Sequence, residues 1–231
     1  MPSHVCRFVF DDIILDKKPK SDLPFPHKNL IITTPKILER IGQLKNSRSG
    51  ILATLPIPPP LSLEAFSAKK MLIFDGIDDT GELGTLLRSA CAFDWDAVWI
   101  THSCADPFDP ICLRASQGVL LSMPYRVGSI ENALQHARRE KSMLKLRFVE
   151  SKSGGLKIGL ADPELGESSL SSSGGEVCLL IQKEFLDSPK ANDFKSIEIS
   201  GISPSRTLPL SVIGSSLMYA ISNRYFPGEL S

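Results

Sequence analysis

Residues 71–93 read MLIFDGIDDTGELGTLLRSACAF, and residues 106–124 read DPFDPICLRASQGVLLSMP. The first stretch starts as a buried-type strand, MLIFD, and continues as a helix over 83–93. Leu83, Leu86, Leu87, Ala90 and Phe93 recur there at helical spacing. Arg88 lies about two turns into this otherwise apolar helix. One reading has it snorkel to the surface or pair with an acid such as Glu82; the other has it hold a phosphate or ribose in a cleft. Asp75, Asp78, Asp79 and Glu82 cluster at and just beyond the carboxyl end of the strand, where open α/β sheets bind ligands. They suit a metal site or, more cheaply, the acidic N-terminal cap of the helix.

Outward from this stretch, strands and helices alternate. Strands are expected at 97–101, 119–123, 144–150, 156–161, 176–182 and 196–200. Helices are expected at 109–118, at 130 to about 143 behind a Ser129 cap, and at 208–225. This alternation predicts an α/β fold with a mainly parallel sheet and helices on both faces. Before it, residues 1–28 read as an extended arm or edge strand (Val5 to Phe10) and a linker. Strand-like 30–33, a helix over 36–44 capped by Thr34, and a strand over 51–55 follow. The proline run Pro56 to Pro60 is a stiff linker that places a boundary near residue 60.

The chain has 231 residues, 42% of them hydrophobic and 23% charged, which allows a sizeable core without covalent staples. The formal net charge is zero, which argues against a wholesale polyanion binder. A local basic run remains: Arg138, Arg139, Lys141, Lys145, Arg147, Lys152 and Lys157. Five cysteines without a CxxC pair suit a reducing compartment and argue against zinc. No apolar run approaches the roughly 18 residues of a membrane span. The acidic N-terminus, with Asp11, Asp12 and Asp16, is unlike an organelle presequence; it leans towards the cytoplasm and leaves a mitochondrion or plastid open. The Walker lysine, the GxSxG elbow and HExxH are absent, and the four histidines lack ligand spacing. His102 follows a strand end and reads as a loop histidine before it reads as a base.

The two quoted stretches resemble the SpoU/TrmH branch of the SPOUT superfamily, RNA ribose 2′-O-methyltransferases that use S-adenosylmethionine. The family's first motif is a strand followed by D-x-x-N-x-G-x-x-x-R-T/S-A-x-A-F. Here the match runs from Gly81 to Phe93 and includes Gly84, Arg88, Ser89, Ala90 and Phe93. The second stretch keeps Arg114-Ala115-Ser116-x-Gly118. Residues 30–58 are similar to the end of an L30e-like substrate-recruiting domain. The resemblance implies a C-terminal trefoil knot, a homodimer and two regions: a truncated L30e-like remnant over 1–60 and a methyltransferase domain over 61–231. It also implies tRNA or rRNA as partner, with no membrane and no metal. Arg88 would serve catalysis, with Glu82 orienting it or acting as base. Arg88, Arg114 and Ser116 would contact RNA. Ile181, Gln182, Lys183, Glu184, Ile199, Leu208 and Ser211 would line the cofactor.

Three departures stand out. Glu82 replaces the motif's asparagine. The family's cofactor loop, G-N/P-E-G, aligns with Gln182-Lys183-Glu184-Phe185, where only Glu184 survives and Gln182 is expected to crowd the adenosine pocket. The closing Ser-Leu-Asn has become Thr207-Leu208-Pro209. The expectation is therefore an active methyltransferase, with a cofactor-free RNA-binding or ribosome-assembly protein as the alternative.

Overall fold

The computed structural model describes residues 10–19, 21–23, 26–42, 50–63, 66–139, 144–150, 176–183, 195–196 and 208–225. The chain divides into two compact units, Met1–Pro58 and Pro59–Ser231.

In the first unit, β1 (Phe10–Leu15) lies between β2 (His27–Ile32), to which it is parallel, and β3 (Ile51–Thr54), to which it is antiparallel. Helix α1 (Pro35–Gly42) follows β2, and the amide of Ile37 donates to the Thr34 hydroxyl at its start. Residues 5–9 of the expected arm or edge strand lie outside the described residues; the described strand Phe10–Leu15, which falls where a linker was expected, is the middle one of three. Asp11 and Asp12 disguise it, and both find partners across the sheet. Lys28 pairs with Asp11, while Asn29 and Thr54 donate to Asp12. These two hydrogen bonds hold the Asp12 carboxyl below its usual range.

In the second unit, six parallel strands stand in the order β6-β5-β4-β8-β7-β9. They are β4 (Lys70–Asp75), β5 (Ala97–Thr101), β6 (Tyr125–Gly128), β7 (Leu144–Glu150), β8 (Val177–Lys183) and β9 (Lys195–Ser196). Every residue of β4 is buried, as expected for the centre of a parallel sheet covered on both faces. Side chains alternate between two cores. Leu72, Phe74, Val98, Ile100, Leu179 and Ile181 face α2 (Thr80–Ala92) and α5 (Leu210–Tyr225). Met71, Ile73, Trp99, Cys178 and Leu180 face α4 (Ile130–Arg139) and Phe66. Each fully buried Leu, Ile or Phe contributes about 1.5–3 kcal/mol relative to exposure.

Helix α3 (Pro110–Ser116) packs on α2 and ends in two successive left-handed residues, Gln117 (φ 56°) and Gly118 (φ 71°). That reversal explains why the expected strand over 119–123 does not form. Val119–Leu121 is a single 3-10 turn that tucks Val119 and Leu120 into the core, and the strand begins only at Tyr125. The expected strand over 156–161 lies outside the described residues, as does most of that over 196–200. So do residues 184–194 and 197–207, which a knotted C-terminal path would have to include.

The strand order has a consequence for ligands. The chain builds β4, β5 and β6 in one direction and later returns to the other side of β4 with β8. The order therefore reverses at the β4–β8 pair. In open α/β sheets the crevice beyond the carboxyl ends of such a pair is where ligands sit.

Candidate functional site

Three structural elements end at that crevice. Strand β4 ends in Asp75, β8 ends in Gln182 and Lys183, and α2 begins behind Asp79. Asp79 caps α2, its carboxylate accepting from the Glu82 amide at 2.6 Å. Across the sheet from Gln182, Asp75 is only 4% exposed. The Asp75 carboxylate accepts from Thr101 Oγ1 (2.8 Å), Ser103 Oγ (2.7 Å) and Gln182 Nε2 (2.6 Å).

On the other side of the sheet Lys183 reaches towards α2. Its ammonium lies 2.6 Å from Asp78 and 3.6 Å from Glu82. The hydrogen bond from Lys183 holds the Asp78 carboxyl below its ordinary value. The other oxygen of Glu82 accepts from the backbone amide of Ser211 at 3.1 Å, across 129 residues of chain. Ser211 lies in the first turn of α5, where unpaired amides and the helix dipole favour a carboxylate. Pro209 stands just ahead of the helix, its carbonyl accepting from Val212 and Ile213, so its missing N–H costs nothing there.

Of the residues expected from the sequence, Glu82, Lys183 and Ser211 therefore meet, and Gln182 stands next to them. Several expectations change. Glu82 does not orient Arg88, because its oxygens are engaged by Ser211 and Lys183. The Gln182 side chain is 1% exposed and turned to Asp75, so it does not crowd the space beyond the strand. Ile181 is fully buried against the α2–α5 core and offers only its main chain. Ser116 is also fully buried, its hydroxyl donating to the Leu113 carbonyl, so its side chain is not at the surface to meet RNA. Leu208 is 40% exposed. Glu184 and Ile199 lie outside the described residues.

Arg88 and Arg114 are both exposed, on α2 and α3 respectively. The structure gives neither guanidinium an ion pair among the described residues. The two helices approach closely because Gly84 has no side chain. A Cβ there would stand 2.6 Å from both Ala115 Cβ and the Cys112 carbonyl oxygen. Arg138 and Arg139 are exposed at the end of α4. The other basic residues of that run have no described side chains.

The acids near β4 are thus divided between capping, ion pairing and a buried hydrogen-bond cluster. Among the described residues no group of three or more His, Cys, Asp or Glu is placed to hold a metal. His102 is exposed, with its backbone amide bonded to Gly128. The residues that sequence reasoning missed are Thr101 and Ser103, which carried no signal; Asp75 and Asp78 were read only as possible metal ligands or cap residues.

Comparison with known proteins gives likenesses in both sequence and fold. Residues 69–154 match the family model for the SpoU rRNA Methylase family. An uncharacterized tRNA/rRNA methyltransferase of Synechocystis sp. is 32% identical over 99 residues, 40% of this chain and 34% of that protein. The 23S rRNA (guanosine(2553)-2′-O)-methyltransferase of Bacillus subtilis is 40% identical over 58 residues, 25% of this chain and 23% of its own length. A human mitochondrial protein, rRNA methyltransferase 3, is 43% identical over 54 residues, 23% of this chain and 13% of its own. The matched stretch thus spans about a third or less of each relative.

The fold extends further than the sequence likeness. The SpoU methyltransferase AviRb of Streptomyces viridochromogenes, solved with AdoMet, superposes with a TM-score of 0.71 at 16% identity, over 95% of this chain and 84% of that one. An rRNA methyltransferase of Sinorhizobium meliloti gives 0.68 at 15% identity, over 95% and 81%. At such identities the likeness is one of fold. Among the described residues no helix is long and apolar enough to cross a membrane. Residues 69–154, which match the SpoU rRNA Methylase family model, carry β4, α2 and α3 and with them Glu82, Arg88 and Arg114.

Proposed function

We propose that the protein transfers a methyl group from S-adenosylmethionine to a ribose 2′-hydroxyl of tRNA or rRNA. The observation that carries this reading is the convergence of Glu82, Lys183 and Ser211 at the strand-order reversal, with Arg88 exposed farther along the helix that carries Glu82.

The residues present fit the cofactor. The main chain of Ile181 to Lys183, the exposed apolar surface of Leu208 and the first turn of α5 would hold it. The carboxylates of Glu82 and Asp78 supply negative charge beside a cationic ligand. When bound, S-adenosylmethionine supplies an activated methyl on a sulfonium centre.

The work of the chain is alignment and charge. Arg88 binds a phosphate or ribose oxygen and favours the charge that develops on the attacking hydroxyl oxygen. Arg114 adds a phosphate contact from α3. Glu82 anchors the start of α5 and stays close to Lys183, and its carboxylate can take the departing proton once the latch to Ser211 loosens. The family resemblance and the half-exposed Val212 and Tyr219 on α5 support pairing of two copies. A purely RNA-binding role is not favoured, because the Gln182 side chain turns to Asp75 and Pro209 caps the start of α5 through its carbonyl.

Titration of the folded protein with S-adenosylmethionine in a calorimeter tests the reading, and absence of heat at millimolar cofactor refutes it. Arg88→Ala is expected to lower methyl transfer to RNA by about a hundredfold or more while leaving cofactor affinity and fold intact.

A further inference from the structure

We propose that Asp75 is a positioning residue for the cofactor crevice, acting through Gln182 on Lys183, Glu82 and the start of α5; the inference rests on the function proposed above. The argument begins with the buried carboxylate. Asp75 gathers side-chain donors from the end of β5 (Thr101), from the turn that follows (Ser103) and from the end of β8 (Gln182). Ser103 Oγ lies 2.6 Å from Thr101 Oγ1, so either hydroxyl can turn its one proton to the other instead of to Asp75, and it accepts from the Gly76 amide at 3.1 Å. One side chain therefore ties together three neighbouring strand ends at the edge where the ligand is proposed to sit. A carboxylate is an expensive way to fill a buried position, since an apolar residue of the same size packs there without desolvation. Its retention at the crevice is explained by what it holds in place.

Strand alternation gives the mechanism. Successive side chains point to opposite faces, so a slip by one residue exchanges the faces. Asp75 holds the Gln182 amide on the α4 side of the sheet. Lys183 must then emerge on the α2 side, where its ammonium meets Asp78 and Glu82. Glu82 in turn accepts from Ser211. The polar chain Asp75–Gln182, Lys183–Glu82–Ser211 thus sets both where the end of β8 lies and where α5 begins. The glutamine that stands in place of the family's glycine becomes the link in this chain.

Two variants and their combination test the inference, each read by calorimetry with S-adenosylmethionine, by hydrogen exchange at the Ser211 amide and by thermal melting. Gln182→Glu sets a second carboxylate against Asp75. Asp75→Asn with Gln182→Glu restores one carboxylate and one amide, exchanged. Gln182→Glu is expected to weaken cofactor binding about tenfold or more and to speed Ser211 exchange, and the double variant is expected to recover both. A folded Gln182→Glu with wild-type affinity and wild-type Ser211 protection overturns the proposal. If Gln182→Glu does not fold, the double variant decides: recovered folding and affinity support the pairing, and failure to recover overturns it. A purely structural role lowers the melting temperature without changing affinity per folded molecule. Should the wild type bind no S-adenosylmethionine, the proposed function falls, and Ser211 exchange alone then judges the positioning role.

Discussion

Gly84→Ala is the sharpest test of how this domain is assembled, because local preference and packing predict opposite signs. Alanine is better than glycine in a helix by about 1 kcal/mol. Yet a Cβ at residue 84 would lie 2.6 Å from Ala115 Cβ, 2.6 Å from the Cys112 carbonyl oxygen and 3.1 Å from the Ser116 amide. Ordinary carbon contacts are about 3.5–4.0 Å, so α2 and α3 would have to separate by roughly 1 Å. Two of the three clashing atoms belong to backbone, and neither can turn away as a side-chain tip would. Overpacking of this kind costs about 1–3 kcal/mol, and here the upper half of that range applies. After the gain in helix preference, the net loss is about 1–2 kcal/mol. For a protein of this size that lowers the melting temperature by about 2–8 °C. Gly81→Ala is the control, since its Cβ would meet only Asp79 Oδ1, at 3.3 Å. It should stay within about 0.5 kcal/mol of wild type. Urea and thermal unfolding of the two variants side by side decide the matter. A Gly84→Ala protein as stable as Gly81→Ala would refute the reasoning.

Two further expectations concern titration and reactivity. The Lys183 hydrogen bond lowers the Asp78 pKa, so its contribution to stability is present above the unfolded carboxylate value, about 3.9, and is lost as pH falls through the folded value below it. Carboxyl NMR titration of Lys183→Met should show Asp78 moving up towards the ordinary range, and an unmoved Asp78 would contradict the pairing. Among the described cysteines, Cys91 is exposed, Cys104 is partly buried, and Cys112 and Cys178 are buried. Burial, with smaller help from Asp109 and Asp106, pushes the Cys112 thiol up to about 12. In the native protein at pH 8, mass mapping after brief alkylation should find Cys91 modified and Cys112 protected; labelling of Cys112 at a comparable rate would contradict its burial.

Much of the six-stranded unit was legible in the chain. The apolar runs of β4, β5 and β8 and the helical spacing of α2 are local signals, and the structure keeps them as buried parallel strands and a packed helix. Other features were settled by contacts that no local pattern records. Residues 119–123 are as apolar as a strand, but the left-handed pair at Gln117 and Gly118 turns them into a compact elbow. Residues 10–15 open with phenylalanine and two aspartates, and only partners in β2 and β3 make them a central strand. The site shows the same limit. Motif matching located Glu82, Gln182 and Ser211, yet it assigned Glu82 to Arg88 and Gln182 to the pocket. Which way a side chain leaves a strand end depends on the donor or acceptor across the sheet, here Asp75, and that residue lies over a hundred positions away in sequence.

The seating of α2 bears on the energetics of Arg88. The helix is pinned to α3 at Gly84 and faces α5 at Gly214, where a Cβ would stand 2.6 Å from Leu86 Cδ2. Ser89, next to Arg88, bonds Ser215 of α5 at 2.7 Å. The backbone under Arg88 is therefore held by packing within the unit itself. Ordering the guanidinium costs the rotamer entropy of one long side chain, about 2 kcal/mol at most, with no loop to freeze as well. If Arg88 holds substrate as proposed, capture there is a matter of restricting side-chain torsions, and a planar fork that loses less freedom per hydrogen bond than an ammonium has an advantage that Arg88→Lys would forfeit.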